Sequence, residues 1–173
     1  IGATGSLGKE VLSVLNSVKW RPDHVVAMAS SATSTPFVSY GDTELPVEDV
    51  NVENFDHLDA VIIAVPPKIA KEIGDAAVRD AARVVDCSGA LHESMGAPLV
   101  IPWVNPEALQ ESALGVISLP SAPGILLASV LGPLCRAGLT GLVNATVMVS
   151  ASDKGRGGIE ELSRQVAALF NSA

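Results

Sequence analysis

Three glycines, Gly2, Gly5 and Gly8, recur at intervals of three in the opening run IGATGSLG. That spacing suits a chain turning sharply from a strand into a helix. The glycines permit a tight turn, let backbone amides approach a pyrophosphate, and allow the helix to pack closely on the strand. The head of such a helix presents unpaired N–H groups and the positive end of its dipole. Thr4 and Ser6 add hydroxyls to the turn, and Leu7 begins the apolar face of the helix. An unliganded glycine turn has the same spacing, so the motif carries weight only in an alternating strand–helix context. A strand of about 5–6 residues ordinarily leads into the turn. Only Ile1 precedes Gly2, so the expectation is that the first strand lies mostly outside this sequence.

The context is present. A helix is expected over 7–18, with Leu7, Val11, Leu12, Val14, Leu15 and Val18 inward, and a strand over 24–29. A polar loop (30–35) and a small β excursion over 37–47, ending at Pro46, follow. The continuous apolar runs 59–65 (DAVIIAV) and 83–87 (RVVDC) read as central strands buried on both faces. Between them Pro66 and Pro67 open a helix to about 82. Beyond 99 the sequence predicts a strand before Asn105-Pro106 and a short strand at 115–119. A buried apolar helix is expected over 124–137, kinked or ended early by Pro133. A long strand at 141–150, a loop at 151–158 and an amphipathic helix at 157–170 complete the reading. Strands alternating with helices imply an α/β fold, a doubly wound and mainly parallel sheet. A soft boundary near 120 separates it from the start of a second, α+β unit.

Composition excludes several alternatives. Of the 173 residues 48% are hydrophobic and 17% charged, enough apolar material for a real core. Lys and Arg total 11 against 19 Asp and Glu, a net charge of −8, and aromatics are 3%, which argues against a nucleic-acid partner. No apolar stretch approaches the ~18 residues of a membrane span. Cys87 and Cys135 form neither a CxxC nor a metal spacing, as expected of a reduced, cytoplasmic protein. Neither His24 nor His57 has a partner at metal spacing, so no metal site is expected.

The second strand qualifies the cofactor. An NAD site usually carries an acid near this strand's end to hold the ribose 2′-hydroxyl. Here the chain reads Ala29, Ser30, Ser31, Ala32, Thr33, Ser34. With no acid, the loop suits a 2′-phosphate better, held by hydroxyls such as those of Ser30 and Thr33. An ordinary polar loop is an equally open reading.

The runs GATGSLG, MASSATST (28–35), VVDCSGAL (84–91), IPWVNPEAL (101–109) and KGRGGIEEL (154–162) follow one another as in the aspartate-semialdehyde dehydrogenase family, which the whole chain resembles. The resemblance implies a Rossmann-like NADP-binding domain over 1–120, its first strand missing, and the beginning of a dimerisation and catalytic domain over 121–173. It also implies a homodimer, a cofactor contact at Ser88, and a cysteine nucleophile that forms a thioester with an aspartyl group in amino-acid biosynthesis. The nucleophile position matches Ala122, whose methyl group cannot attack an acyl phosphate. The family's substrate-phosphate arginine matches His92, its glutamine Val149, and the arginine of its second-strand loop Ala32. The family's catalytic histidine would lie beyond Ala173.

These departures, with the glycines and Asn105-Pro106 kept, most resemble the Usg-type homologues of the dehydrogenase, some of which lack the cysteine. Neither Ser121, displaced by one residue, nor Cys87, beside Asp86, offers a convincing substitute nucleophile. Cys135 is expected in the core. The short-chain reductase pattern Tyr-x-x-x-Lys is absent, since Tyr40 is followed by Glu44. Two readings stay open. One is a non-catalytic, nucleotide-binding dimer, a pseudoenzyme with weak or vestigial NADP binding. The other is an NADP-dependent oxidoreductase acting on an aldehyde or acyl phosphate.

Overall fold

A computed structural model describes residues 1–31, 34–50, 55, 57–81, 83–112, 115–139 and 141–171. The chain divides into two compact units, Ile1–Gly138 and Leu139–Ala173.

In the first unit α1 (Ser6–Ser17) follows the glycine turn, and β1 spans Ala27–Ala29. A hairpin of β2 (Phe37–Tyr40) and β3 (Thr43–Asp49) comes next, turning at Gly41, which supplies φ 61°. Strand β4 (Val61–Ile63), α2 (Pro67–Asp80), β5 (Val84–Asp86), the short α3 (Ala90–Met95), a 3-10 turn (Pro106–Glu111), β6 (Val116–Ser118) and α4 (Ala122–Arg136) complete it.

Strand β3 pairs antiparallel with β2 and parallel with β1, while β4, β5 and β6 pair in parallel. Ile1–Ala3 joins the two groups. The Gly2 and Ala3 amides donate to Met28 O, at 2.8 and 3.1 Å, and Ala64 N donates to Ile1 O at 3.0 Å. The Ile1 nitrogen donates to Ile62 O at 2.7 Å. Ile1 therefore occupies the slot between β1 and β4, and the sheet runs β2–β3–β1–Ile1–β4–β5–β6. Setting aside the antiparallel edge strand β2, and counting the Ile1 slot as the first strand, this is the 3-2-1-4-5-6 order of a Rossmann-like α/β fold. The runs 59–65 and 83–87 supply β4 and β5 inside it.

The main core packs Met28, Phe55, Val61, Ile63, Val84, Leu91 and Val116 with the buried side of α2, Ala70, Ile73, Ala76 and Ala77. Gly74 on α2 leaves room for the Leu91 side chain, which a Cβ there would strike.

Several expectations are corrected. In α1 the buried residues are Gly8 and Leu12, while Leu7, Val14 and Val18 are exposed. At 100° per residue these three cannot share the face of Leu12. Strand β3 runs through Pro46 to Asp49, because Pro46 stands where the strand leaves β2 and Val47 takes up β1, so its missing N–H removes no ladder bond. Residues 99–107 contain only a single bridge, Leu99 to Ser118, before the 3-10 turn. Helix α4 starts at Ala122 and continues past Pro133. It buries no residue: Leu126, Val130 and Leu134 form an exposed stripe, and Cys135 is exposed rather than in the core. In the second unit the described residues of 141–150 form no strand, since none pairs with them, and the expected loop becomes a 3-10 turn (Ala151–Lys154) leading into α5 (Gly155–Asn171).

Tyr40 leaves its buried hydroxyl without a partner among the described residues. Tyr40→Phe removes that polar burden with little loss of packing. The expected result is unchanged or raised stability, by about 0–1 kcal/mol, read as the melting temperature of the two proteins side by side.

Candidate functional site

The carboxyl ends of β1 and β4 diverge on either side of Ile1, and a cleft of about 540 Å³ opens between them. Its floor is the glycine turn. Gly2 holds φ 85°, and a Cβ there would strike the Ala64 carbonyl; a Cβ on Gly8 would strike the Gly2 carbonyl. Both positions therefore exclude any side chain, and α1 starts hard against the strand slot. Gly5 N donates to Gly2 O at 3.0 Å and Gly5 is the N-cap of α1, with no side chain to satisfy the helix's leading amides. A helix head without a side-chain cap is the kind that can receive an external anion.

The cleft brings together Gly2, Thr4, Gly5 and Ser30, with Ser31, Asp49, Val50, Val65, Pro66, Ile69 and Ile73. Ser6 and Leu7 are exposed on the first turn of α1, outside the lining, and Gly8 is buried beneath the turn. Thr33 and Ala32 lie outside the described residues. The sequence reading missed Asp49, Ile69 and Ile73. The pairing of Asp49 with Ala29 brings it to the cleft, and that register is invisible in the linear pattern.

Ser88 belongs to a second constellation at the end of β5. Asp86 is fully buried, and its carboxylate accepts four hydrogen bonds. Oδ1 takes Ser88 N at 2.8 Å and Ser88 Oγ at 2.6 Å; Oδ2 takes Leu91 N at 2.9 Å and Ser118 Oγ at 2.8 Å. The carboxylate thus fixes the β5–α3 turn, where Gly89 holds φ 75°, and ties β5 to β6. On α3, the Nδ1–H of His92 donates to Ala97 O at 2.7 Å, which fixes the orientation of the ring. Cys87 is half-buried, and its thiol is pushed up, by burial first and by Asp86 second. It is thereby disfavoured as a nucleophile at neutral pH. Ala122, exposed, is the first residue of α4, after the Ser121 cap, whose Oγ accepts from Gly124 N at 3.3 Å. Val149 lies exposed in the second unit. His24 and His57 are exposed, and no cluster of metal-ligating side chains occurs among the described residues.

A glycine turn opening a helix at the switch point of a doubly wound sheet defines a dinucleotide-binding protein. The turn fits such a ligand: it brings backbone amides to the cleft and has no side chain to obstruct a pyrophosphate. Residues 1–112 match the family described as "Semialdehyde dehydrogenase, NAD binding domain", and the chain belongs to that family. A USG-1 protein homolog of Pseudomonas aeruginosa is 30% identical over 173 residues, 99% of this chain and 51% of that protein. The aspartate-semialdehyde dehydrogenase of Bacillus subtilis is 27% identical over 172 residues, 99% of this chain and 49% of that protein. The crystal structure of aspartate semialdehyde dehydrogenase II from Vibrio cholerae matches with a TM-score of 0.82 at 26% identity, covering 99% of this chain and 51% of that one. The chain spans about half the length of these relatives. No helix among the described residues is long and apolar enough to cross a membrane.

Two outcomes test this geometry. Asp86→Ala strands Ser118 Oγ, Ser88 and Leu91 N without their acceptor, and is expected to lower stability by about 3 kcal/mol or more in denaturant unfolding. Alkylation of the native protein at pH 7 should label the exposed Cys135 well before Cys87, as peptide mass mapping over time would record.

Proposed function

We propose that the chain binds a nicotinamide dinucleotide across the glycine turn, NADP(H) with low affinity, and does not catalyse the reaction of aspartate-semialdehyde dehydrogenase. The observation that carries the proposal is the side-chain-free turn at Gly2, Gly5 and Gly8, opening onto a cleft at the carboxyl ends of β1 and β4. Gly2, Thr4, Gly5, Ser6, Leu7 and Gly8 would hold the pyrophosphate through backbone amides and hydroxyls. Ser30 and Thr33 would take the ribose end, with Ser88 beyond the turn. When bound, such a cofactor carries or accepts a hydride. No Lys or Arg lies among the described residues that line the cleft, which supports weak binding.

The inactivity rests on Ala122. The head of a helix is where a thiol pKa is lowered and a thiolate becomes available, and Ala122 begins α4 with only a methyl group. His92 in place of a substrate-binding guanidinium, and Val149 in place of an amide, weaken substrate placement further. We assign 1–120 to nucleotide binding and 121–173 to the start of a dimerisation and catalytic domain. The exposed stripes Leu126, Val130, Leu134 on α4 and Ile159, Leu162, Val166 on α5 suit a homodimer, in the cytoplasm, of the longer proteins this chain resembles. Membership of a semialdehyde dehydrogenase family favours the second reading, an NADP-dependent oxidoreductase acting on an aldehyde or acyl phosphate in the synthesis of aspartate-derived amino acids.

Aspartate semialdehyde, NADP⁺ and phosphate mixed with the protein should give no rise in 340 nm absorbance above background. Turnover at an ordinary enzyme rate would establish the oxidoreductase reading instead. Ala122→Cys should form an acyl-thioester detectable by mass spectrometry without restoring full turnover, because a substrate misplaced by about 1 Å loses on the order of 100-fold.

A further inference from the structure

Helix α4 contains a helix-breaking pair, Gly132-Pro133, yet continues to Arg136. Proline has no N–H, so the Ser129 carbonyl lacks the donor that residue 133 would ordinarily supply. Glycine adds backbone freedom at the same turn. Burial does not hold this turn straight, since α4 has no buried residue. Contacts from Trp103 and Val104 meet it instead. Trp103 Nε1–H donates to Ser129 Oγ at 2.7 Å, and that hydroxyl donates in turn to Ile125 O at 2.7 Å. Arg136 Nη1 donates to Val104 O at 3.1 Å, and a Cβ on Gly132 would press on a Val104 methyl group at 3.2 Å. Ser129, Gly132 and Arg136 follow one another at helical spacing, so one face of α4 makes all three contacts, on both sides of the weakened turn. The segment that supplies them is itself anchored. Asn105 Oδ1 accepts from Ile101 N at 2.7 Å and Asn105 Nδ2 donates to Leu99 O at 2.8 Å, while Val100 N donates to Ser118 O on β6 at 3.0 Å.

We propose that Trp103 and Val104 form a brace across a hinge in α4 at Gly132-Pro133, and that release of the brace lets the helix bend there. Proline inside a helix is one of the few identified causes of a sharp kink, and here the kink is held off from outside the helix. The brace is exposed rather than part of the core, so it can open while the sheet stays intact. Its position gives it a consequence. Leu126 and Val130 precede the hinge and Leu134 follows it, all three exposed. At 100° per residue their stripe points away from the braced face. With the brace closed the three stand in line; a bend parts Leu134 from the other two. The hinge therefore decides whether this apolar stripe is presented whole.

Amide hydrogen exchange of the whole chain, followed by NMR, tests the brace. Trp103→Phe keeps an aromatic ring and removes the N–H. Loss of that one hydrogen bond is expected to speed exchange at residues 134–137 by roughly two- to tenfold, with the amides of β5 unchanged. Pro133→Ala returns a donor to Ser129 O and abolishes the hinge, so adding Trp103→Phe to that variant should change exchange by less than about twofold. Circular dichroism confirms that each variant is folded. Equal acceleration by Trp103→Phe in both backgrounds would overturn the proposal, because the bond would then be an ordinary surface contact. Acceleration in β5 as large as in α4 would overturn it as well, since the loss would then be one of global stability. So would unchanged exchange at 134–137 when Trp103→Phe is made alone.

Discussion

Ile1–Ala3 makes the contact on which the rest of the first unit depends. Its backbone bonds to Met28 on one side and to Ile62 and Ala64 on the other, so a few peptide groups join the two halves of the sheet. The same residues begin the turn that launches α1. Closeness is the controlling variable: the Gly2 carbonyl lies where a Cβ on Gly8 would be, and the Ala64 carbonyl where a Cβ on Gly2 would be. Sheet continuity, helix placement and cleft floor thus share one steric requirement. A side chain at either glycine would disturb all three together, which is why a motif that looks functional is equally a packing constraint.

Asp86 plays the corresponding part at the far end. A buried carboxylate is tolerated when its oxygens are fully engaged. Here they take two hydroxyls and two amides. Ser118 is buried with it, so β5 and β6 are joined by a side-chain bond as well as by their ladder. The turn that carries Ser88 is therefore rigid for a structural reason, whatever Ser88 contacts. Burial pushes the adjacent Cys87 thiol up, and the same carboxylate adds to that shift.

The fold was legible where the pattern was local. The glycine spacing, the apolar runs at β4 and β5, and the paired prolines before α2 are signals carried within a few residues. What escaped the sequence depended on partners distant in the chain. The 141–150 run has strand composition, but backbone composition makes no strand without a neighbour to pair with. Helix α4 is apolar nearly all round and reads as buried, yet burial needs a covering surface, and Leu126 and Val130 have none in their unit. The candidate site divides the same way. The glycine turn follows from Gly2, Thr4 and Gly5, whereas the rest of the lining required the register that carries Asp49 beside Ala29 and the turn of α2 that brings in Ile69 and Ile73.

Electrostatics sets the character of that site. The chain carries a net charge of −8, and the described lining of the cleft has one carboxylate and no cation. A diphosphate approaching it would meet an unfavourable long-range field and would depend on short-range dipoles, such as the amides at the head of α1 and the hydroxyls beside them. Screening by salt weakens the long-range repulsion while leaving bonds at contact distance largely intact. Any hold such a cleft has on a dinucleotide would then rest on bonds made at contact distance at the glycine turn, and the field around the cleft would oppose it.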